Sequence, residues 1–205
     1  MLFKNKLQNY LKLRNLPPHM RRIMSVQSAL TQSEVQLLFE LASKVSEGCI
    51  IEVGSYRGRS TVALALGTQR GKQLPVYAIE PHERFTGLLG GQFGPWDRVE
   101  FFKNMLRTQC AETVRLLNIS SEVVSKGWSQ PISLLWIDGD HSYEGTQRDF
   151  DCWAKFVIPT GFIAFHDSLD EKLGPKKLID EVLSSGQYQK LSQVDLITVL
   201  QKNSD

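Results

Sequence analysis

The stretch Ile50-Ile51-Glu52-Val53-Gly54-Ser55-Tyr56-Arg57-Gly58-Arg59-Ser60-Thr61 decides the fold. An apolar run ends in an acidic residue and a glycine, and a second glycine follows four positions later. Ser60 and Thr61 then open a segment with helical character to Gln69. A strand, a tight turn and a helix in that order predict the first unit of an α/β sheet. Gly54 and Gly58 lack a Cβ, so they let backbone approach a ligand closely. The N–H groups at the helix start near Ser60 favour a carboxylate or phosphate.

Outward from this turn, apolar runs alternate with helical periodicity. Strands are expected at Cys49–Gly54, Pro75–Glu80, Thr113–Ile119, Ile132–Asp138 and Gly161–Asp167. Helices are expected at about 33–46, 60–69, 97–109, 144–157 and 176–183. The pattern predicts a doubly wound, mostly parallel sheet covered on both faces. Tyr188–Asp195 and Leu196–Lys202 have little between them and predict a C-terminal antiparallel hairpin. Phe85–Trp96 is too rich in glycine for an element, so it reads as a mobile loop, and its Gly87–Gly94 part as a lid over an acceptor.

A chain of 205 residues with net charge +2 suits one domain and shows no overall field for nucleic acid. The positive charge sits in residues 1–22, where Lys4, Lys6, Lys12, Arg14, Arg21 and Arg22 have no acidic neighbour. Leu16-Pro17-Pro18 breaks that arm from the rest of the chain, so the division is a basic arm, 1–22, and a domain, 23–205. Phe3, Leu7, Tyr10, Leu11 and Leu13 recur at helical spacing in the arm. Such a pattern serves a membrane surface, packing on the arm's own domain, or a neighbouring subunit in a homo-oligomer. Cys49, Cys110 and Cys152 form no C-x-x-C, and no run is long enough to span a bilayer. A cytoplasmic location is the expectation.

In an open α/β sheet, ligands bind beyond the carboxyl ends of the strands. There the sequence places Glu52 to Gly58, Glu80-Pro81-His82, Asp138-Gly139-Asp140-His141 and His166-Asp167. Tyr56 takes the place of the second glycine of a dinucleotide fingerprint, and no G-K-[ST] occurs at P-loop spacing. A ligand without pyrophosphate is therefore expected, which argues against a nicotinamide-dependent oxidoreductase. Glu80, closing the second strand, can accept both hydroxyls of a ribose.

IIEVGSYRGRSTVALA with VYAIEPH resembles the cofactor-binding half of class I S-adenosylmethionine-dependent methyltransferases. LLWIDGDHSYEGTQRDFDCW and GFIAFHDS are similar to the branch of macrolide-sugar O-methyltransferases and cephalosporin-hydroxylase-like proteins. The resemblance spans roughly residues 30–200. It implies that Glu52, Gly54 and Ser55 line the methionine part of S-adenosylmethionine, that Glu80 holds its ribose, and that Ser120 or Ser121 approaches the adenine. An acidic or amide group is commoner at that last place. It further implies a divalent cation, Mg²⁺ or another, between Asp138, His166 and Asp167, with His166 as the departure from oxygen ligands. His141 is implied as general base, acting on a hydroxyl of a small-molecule or sugar acceptor. A binding or assembly module that keeps the fold without turnover is the rival reading.

Overall fold

The computed structural model describes residues 14–204. The amphipathic pattern at residues 3–13 lies outside them. The chain opens with helix α1 (Pro18–Met24) and helix α2 (Gln32–Lys44), then strand β1 (Cys49–Val53) and helix α3 (Arg59–Arg70). β2 (Val76–Ile79) leads to two short strands, β3 (Phe85–Thr86) and β4 (Gln92–Phe93), and to α4 (Pro95–Arg107). Next come β5 (Val114–Leu117), α5 (Ser121–Val124), β6 (Ile132–Ile137), α6 (Tyr143–Trp153) and β7 (Val157–Phe165). Helix α7 (Gly174–Ser184) and strands β8 (Tyr188–Val194) and β9 (Ile197–Lys202) close the chain.

Seven strands form one sheet in the order β5-β2-β1-β6-β7-β9-β8. The first five run parallel, and β9 lies antiparallel to both β7 and β8. This is the doubly wound sheet with its C-terminal hairpin that the alternation predicted. Central strands are buried on both faces, which is why β1 (CIIEV) and β6 (ISLLWI) read as unbroken buried runs. One apolar layer packs α1 to α4 against the sheet through residues such as Ile23, Leu38, Val62 and Phe101. The other packs α6 and α7 through Trp153, Ile179 and Val182.

Two sequence expectations change. Met20 and Ile23 of α1 are almost fully buried in the core, and Arg22 donates to the Thr108 carbonyl. The boundary expected after residue 22 thus cuts through a helix of the domain. The Pro-Pro pair misled because Pro18 occupies the first turn, where its missing N–H costs nothing. Phe85–Trp96 also carries more order than a loop. It forms the β3–β4 ribbon, with Phe85 opposite Phe93 and the Gly87 N–H donating to the Gly91 carbonyl.

Parallel register makes the site. Val53 pairs with Ile79 and with Ile137, Ile79 with Leu117, and Ile137 with Phe165. Four neighbouring strands plus β5 therefore end at one level, and the residues just beyond them share a rim.

Candidate active site

That rim encloses a cavity of about 730 Å³, within the range of small-molecule sites. Gly54, Ser55, Ser60, Glu80, Ser120, Ser121, Asp138, His141, His166 and Asp167 all line it. Glu52 and Gly58 do not. Glu52 is fully buried beneath the turn, where the Thr61 hydroxyl donates to its carboxylate. Burial pushes its carboxyl up to about 8. Its place is under the glycine turn rather than against a ligand. Gly58 caps α3 with φ of 91°, and a Cβ there would meet the Met105 methyl at 2.6 Å. Its glycine serves α3–α4 packing. Gly54 lines the cavity, yet its φ of 86° and the Asp138 carbonyl, 2.1 Å from where a Cβ would stand, show why it is glycine. The β1 and β6 ends must touch.

At one side of the cavity the Glu80 carboxylate accepts the Tyr56 N–H at 3.2 Å and the His82 N–H at 3.1 Å. Two backbone donors fix its orientation and leave lone pairs for a ligand. The Asn118 side chain donates to the Glu80 and Pro81 carbonyls, both at 2.7 Å. His82 is not a site histidine. It is buried, with Nε2 2.9 Å from the Tyr56 carbonyl oxygen and Nδ1 3.2 Å from the Asn118 amide. Tyr56, His82 and Asp167 all adopt positive φ, of 47°, 51° and 48°. Left-handed backbone in residues with a Cβ costs of order 1–3 kcal/mol each, and here it re-aims the chain at three strand ends. The Ser55 hydroxyl is buried in the cavity wall and has no hydrogen-bond partner among the described residues.

At the other side, one ligand atom each from Asp138, His141 and Asp167 lies within 4.8 Å of the others. Asp138 and Asp167 do converge, as the adjacency of β6 and β7 requires. His141 faces the cavity with Nδ1 3.4 Å from Asp167 Oδ2, and its Nε2 has no partner among the described residues. The third expected ligand, His166, stands against the same two aspartates. Its Nδ1 stands 3.2 Å from Asp138 Oδ1 and 3.3 Å from Asp167 Oδ2, and its Nε2 3.5 Å from Glu34 Oε1. Both ring nitrogens are turned to carboxylates. Burial pulls its pKa down, but Asp138, Asp167 and Glu34 outweigh this and push it up to about 12. In turn the His166 ring holds Asp167 below the usual carboxylate range. The His166 ring thus bridges Glu34 on one side and the two aspartates on the other.

Glu34 is a site-supporting residue that the sequence did not disclose. It completes a capping box with Thr31, and its Oε1 accepts the Leu196 N–H at 3.0 Å. The signal was present as Thr31-x-x-Glu34, but nothing in it names His166. Likewise Gln27 to Leu30 line the cavity because the half-buried Arg59 guanidinium donates to the Val26 and Leu30 carbonyls, both at 2.6 Å. Asp140, at a place suited to capping α6, instead accepts the Ser142 N–H at 3.0 Å. The cap is Ser142, whose hydroxyl oxygen accepts the Gly145 N–H at 3.0 Å.

Residues 51–168, more than half of the chain, match the model of a family described as a methyltransferase domain. Among curated proteins, an uncharacterized protein of Acanthamoeba polyphaga mimivirus is 33% identical over 63 residues, 30% of this chain and 28% of that protein. The chain thus spans little more than a quarter of that relative. Among solved structures, a cofactor-bound protein from MTB superimposes with a TM-score of 0.69 at 14% identity, covering 97% of both chains. The O-methyltransferase TomG from Streptomyces achromogenes, involved in tomaymycin synthesis and bound to SAM, gives 0.65 at 13%, covering 93% of this chain and 92% of that one. An O-methyltransferase from Bacillus cereus in complex with SAH gives 0.60 at 18%, covering 97% and 90%. These likenesses concern the fold, and with the family match over β1 to β7 they lead to one statement: this chain belongs to the methyltransferase-domain family.

Proposed function

We propose that the chain is an S-adenosylmethionine-dependent O-methyltransferase acting on a hydroxyl of a small molecule or sugar, with a divalent cation at Asp138 and Asp167. The observation that carries this is the shared cavity: Ser55 and Glu80 on one side, and Asp138, His141 and Asp167 within 4.8 Å of one another on the other. The orphaned Ser55 hydroxyl and the backbone-held Glu80 carboxylate fit a ligand that is polar at its amino-acid end and offers a ribose diol. When bound, S-adenosylmethionine supplies an electrophilic methyl group on a sulfonium.

Two carboxylates and one imidazole are an oxygen-rich donor set suited to Mg²⁺ or Mn²⁺, and such a cation lowers the pKa of a hydroxyl it contacts. His141 takes the ligand place that the resemblance gives to His166, or uses its unpartnered Nε2 to accept the acceptor's proton. Asp167 beside Nδ1 favours the tautomer with Nε2 unprotonated. Residues 27–30 and the β3–β4 ribbon, with Phe85, Leu89 and Phe93, add to the wall of the same cavity.

The test is calorimetric titration with S-adenosylhomocysteine, with and without Mg²⁺, and then methyl-transfer assays on a panel of hydroxylated acceptors. Binding of the cofactor product and Mg²⁺-dependent transfer to oxygen are expected. Absence of S-adenosylhomocysteine binding overturns the reading; binding without transfer to any acceptor favours a binding module.

A further inference from the structure

Helix α4 buries one face and leaves the other without a partner among the described residues. Phe101 and Met105 enter the core, and the buried Asp97 turns in to Arg57 at 2.8 Å. Outward stand Trp96, Val99, Phe102 and Leu106, from 46% exposed at Trp96 to 71% at Leu106. At 3.6 residues per turn, Val99, Phe102 and Leu106 fall in one apolar strip. Arg98 lies on one flank of it, and Lys103, Arg107 and Trp96 lie on the other. The second acidic residue of the helix, Glu100, pairs with Lys103 at 2.8 Å. Arg98 and Arg107 have no carboxylate at ion-pair distance among the described residues. Arg98 donates to the Asn118 amide oxygen, and Arg107 to Ser25 and the Asn104 amide oxygen. The outward charge of α4 is therefore positive. The β3–β4 ribbon extends this surface: Leu88 and Leu89 at its tip are exposed, and the Arg84 guanidinium at its base lies 5.9 Å from the centre of the Trp96 ring.

We propose that this face, the outer strip of α4 with the β3–β4 ribbon beside it, docks on an anionic lipid bilayer. Charge selects the occupant. A second copy of the chain would set one group of cations against another. Residues 1–13 hold Lys4, Lys6 and Lys12 with no acidic residue, so they carry the same sign as the strip. An apolar strip bordered on both sides by Lys and Arg is what a helix lying in a membrane surface presents. Its apolar side chains enter the acyl boundary, while the long cationic stems reach back to the lipid phosphates. Trp96, apolar in its body and with an N–H at its edge, suits the boundary itself. Among the described residues no helix is long and apolar enough to cross a membrane, so the contact runs along the surface. Phe85 and Leu89 belong both to the exposed ribbon and to the cavity wall, so docking sets the cavity beside the bilayer.

The experiment sediments the full chain with vesicles of equal parts phosphatidylglycerol and phosphatidylcholine, and with vesicles of phosphatidylcholine alone. Binding to the anionic vesicles is expected to be roughly tenfold tighter or more, and to weaken at high salt. Phe102→Ser/Leu106→Ser and Lys103→Glu are each expected to weaken it roughly fivefold or more, with melting curves confirming the fold. Lipids brominated in their chains should quench the fluorescence of the bound wild-type protein, and Trp96→Phe should abolish that quenching. Trp136 and Trp153 are buried and Trp128 is half-buried, so Trp96 is the exposed reporter. Equal binding to the two vesicle types, or none to either, overturns the proposal whatever the variants do. So does sedimentation of the wild type without quenching. Binding that survives in Phe102→Ser/Leu106→Ser and is lost on deletion of residues 1–13 gives the contact to the arm and overturns it too. A strip variant that turns a dimer into a monomer and leaves vesicle binding intact makes this face an interface between copies instead.

Discussion

The Glu34 carboxylate, carried by the first turn of α2, stands 3.5 Å from Nε2 of His166 at the end of β7. That contact ties a helix start, the hairpin turn at Leu196 and the aspartate pair into one buried network. Burial tends to raise Glu34, but His166, Thr31 and Leu196 together hold it below its ordinary range. Glu34 and His166 are thus charged together, each compensating the other.

Removing Glu34 takes the carboxylate from Nε2 of His166 and the acceptor from the Leu196 N–H, while Asp138 and Asp167 still face Nδ1. Glu34→Ala is expected to cost about 1–3 kcal/mol in urea unfolding, the scale for leaving a buried polar group unsatisfied. Thr31→Ala, which loses only the cap and an exposed bond to Asp195, should cost about 1 kcal/mol. Equal losses in the two variants would reduce Glu34 to its capping function.

The position of α1 yields a sharper contrast. A deletion through residue 22 takes Met20 out of the core and should lower stability by about 2–5 kcal/mol, as large-to-small core changes do. A deletion ending at residue 13 spares Met20 and Ile23, and should lower the midpoint of thermal unfolding less than the longer deletion does. Identical melting of the two truncated proteins would show that α1 adds nothing to the domain.

Legibility tracked local signals. Alternating apolar runs announced every strand of the large sheet, and the parallel register then placed Glu80, Asp138, His141 and Asp167 on one rim. The β3–β4 ribbon was hidden because four glycines suppress any strand propensity, while the Phe85–Phe93 pair that holds it is a tertiary contact. The surroundings of His166 were hidden for the same reason. Its residue type suggests a ligand, whereas its ring direction depends on Glu34, far off in the sequence. Glu52 read as a strand-end acid, but β1 is buried to its last residue and the carboxyl went under the turn.

The buried Glu52 makes stability depend on pH. Its folded pKa, at about 8, exceeds the ordinary carboxyl value, so the folded chain binds this proton more tightly than the unfolded one. The resulting contribution is full below pH 4.5 and is lost as pH rises through about 8. Glu52→Gln cannot titrate. The stability of wild type relative to this variant should therefore fall by roughly 1–4 kcal/mol between pH 5 and pH 8.5, read from urea midpoints at fixed ionic strength. A constant difference across that window would mean that Glu52 is ionised throughout.

Glu80 is held by two backbone donors before any ligand arrives, so its loss should register in binding more than in folding. Glu80→Ala is expected to weaken S-adenosylhomocysteine by roughly 1.5–3 kcal/mol, the scale of hydrogen bonds to a charged group. Adenine alone, which has no ribose, should bind both proteins equally. A parallel loss for adenine would mean that the Tyr56 and His82 turns had collapsed instead.

The acceptor end separates metal binding from proton transfer. Asp138→Asn and Asp167→Asn each remove one charged oxygen donor from the cluster within 4.8 Å, and should weaken Mn²⁺ binding at least tenfold while S-adenosylhomocysteine still binds. His141→Ala has two distinguishable outcomes. If Nε2 takes the proton, kcat falls by roughly 10²–10⁴-fold with Mn²⁺ affinity nearly intact. If Nδ1 holds the cation, Mn²⁺ affinity falls as far as in the aspartate variants, and added metal restores part of the rate. Asp167 accounts for both possibilities, since it lies 3.4 Å from Nδ1 and can either orient the ring or share a cation with it. Measuring metal affinity by electron paramagnetic resonance before any turnover assay keeps the two apart. A His141→Ala protein with unchanged metal affinity and unchanged kcat would remove this histidine from the chemistry, leaving deprotonation of the acceptor to the cation and the two aspartates.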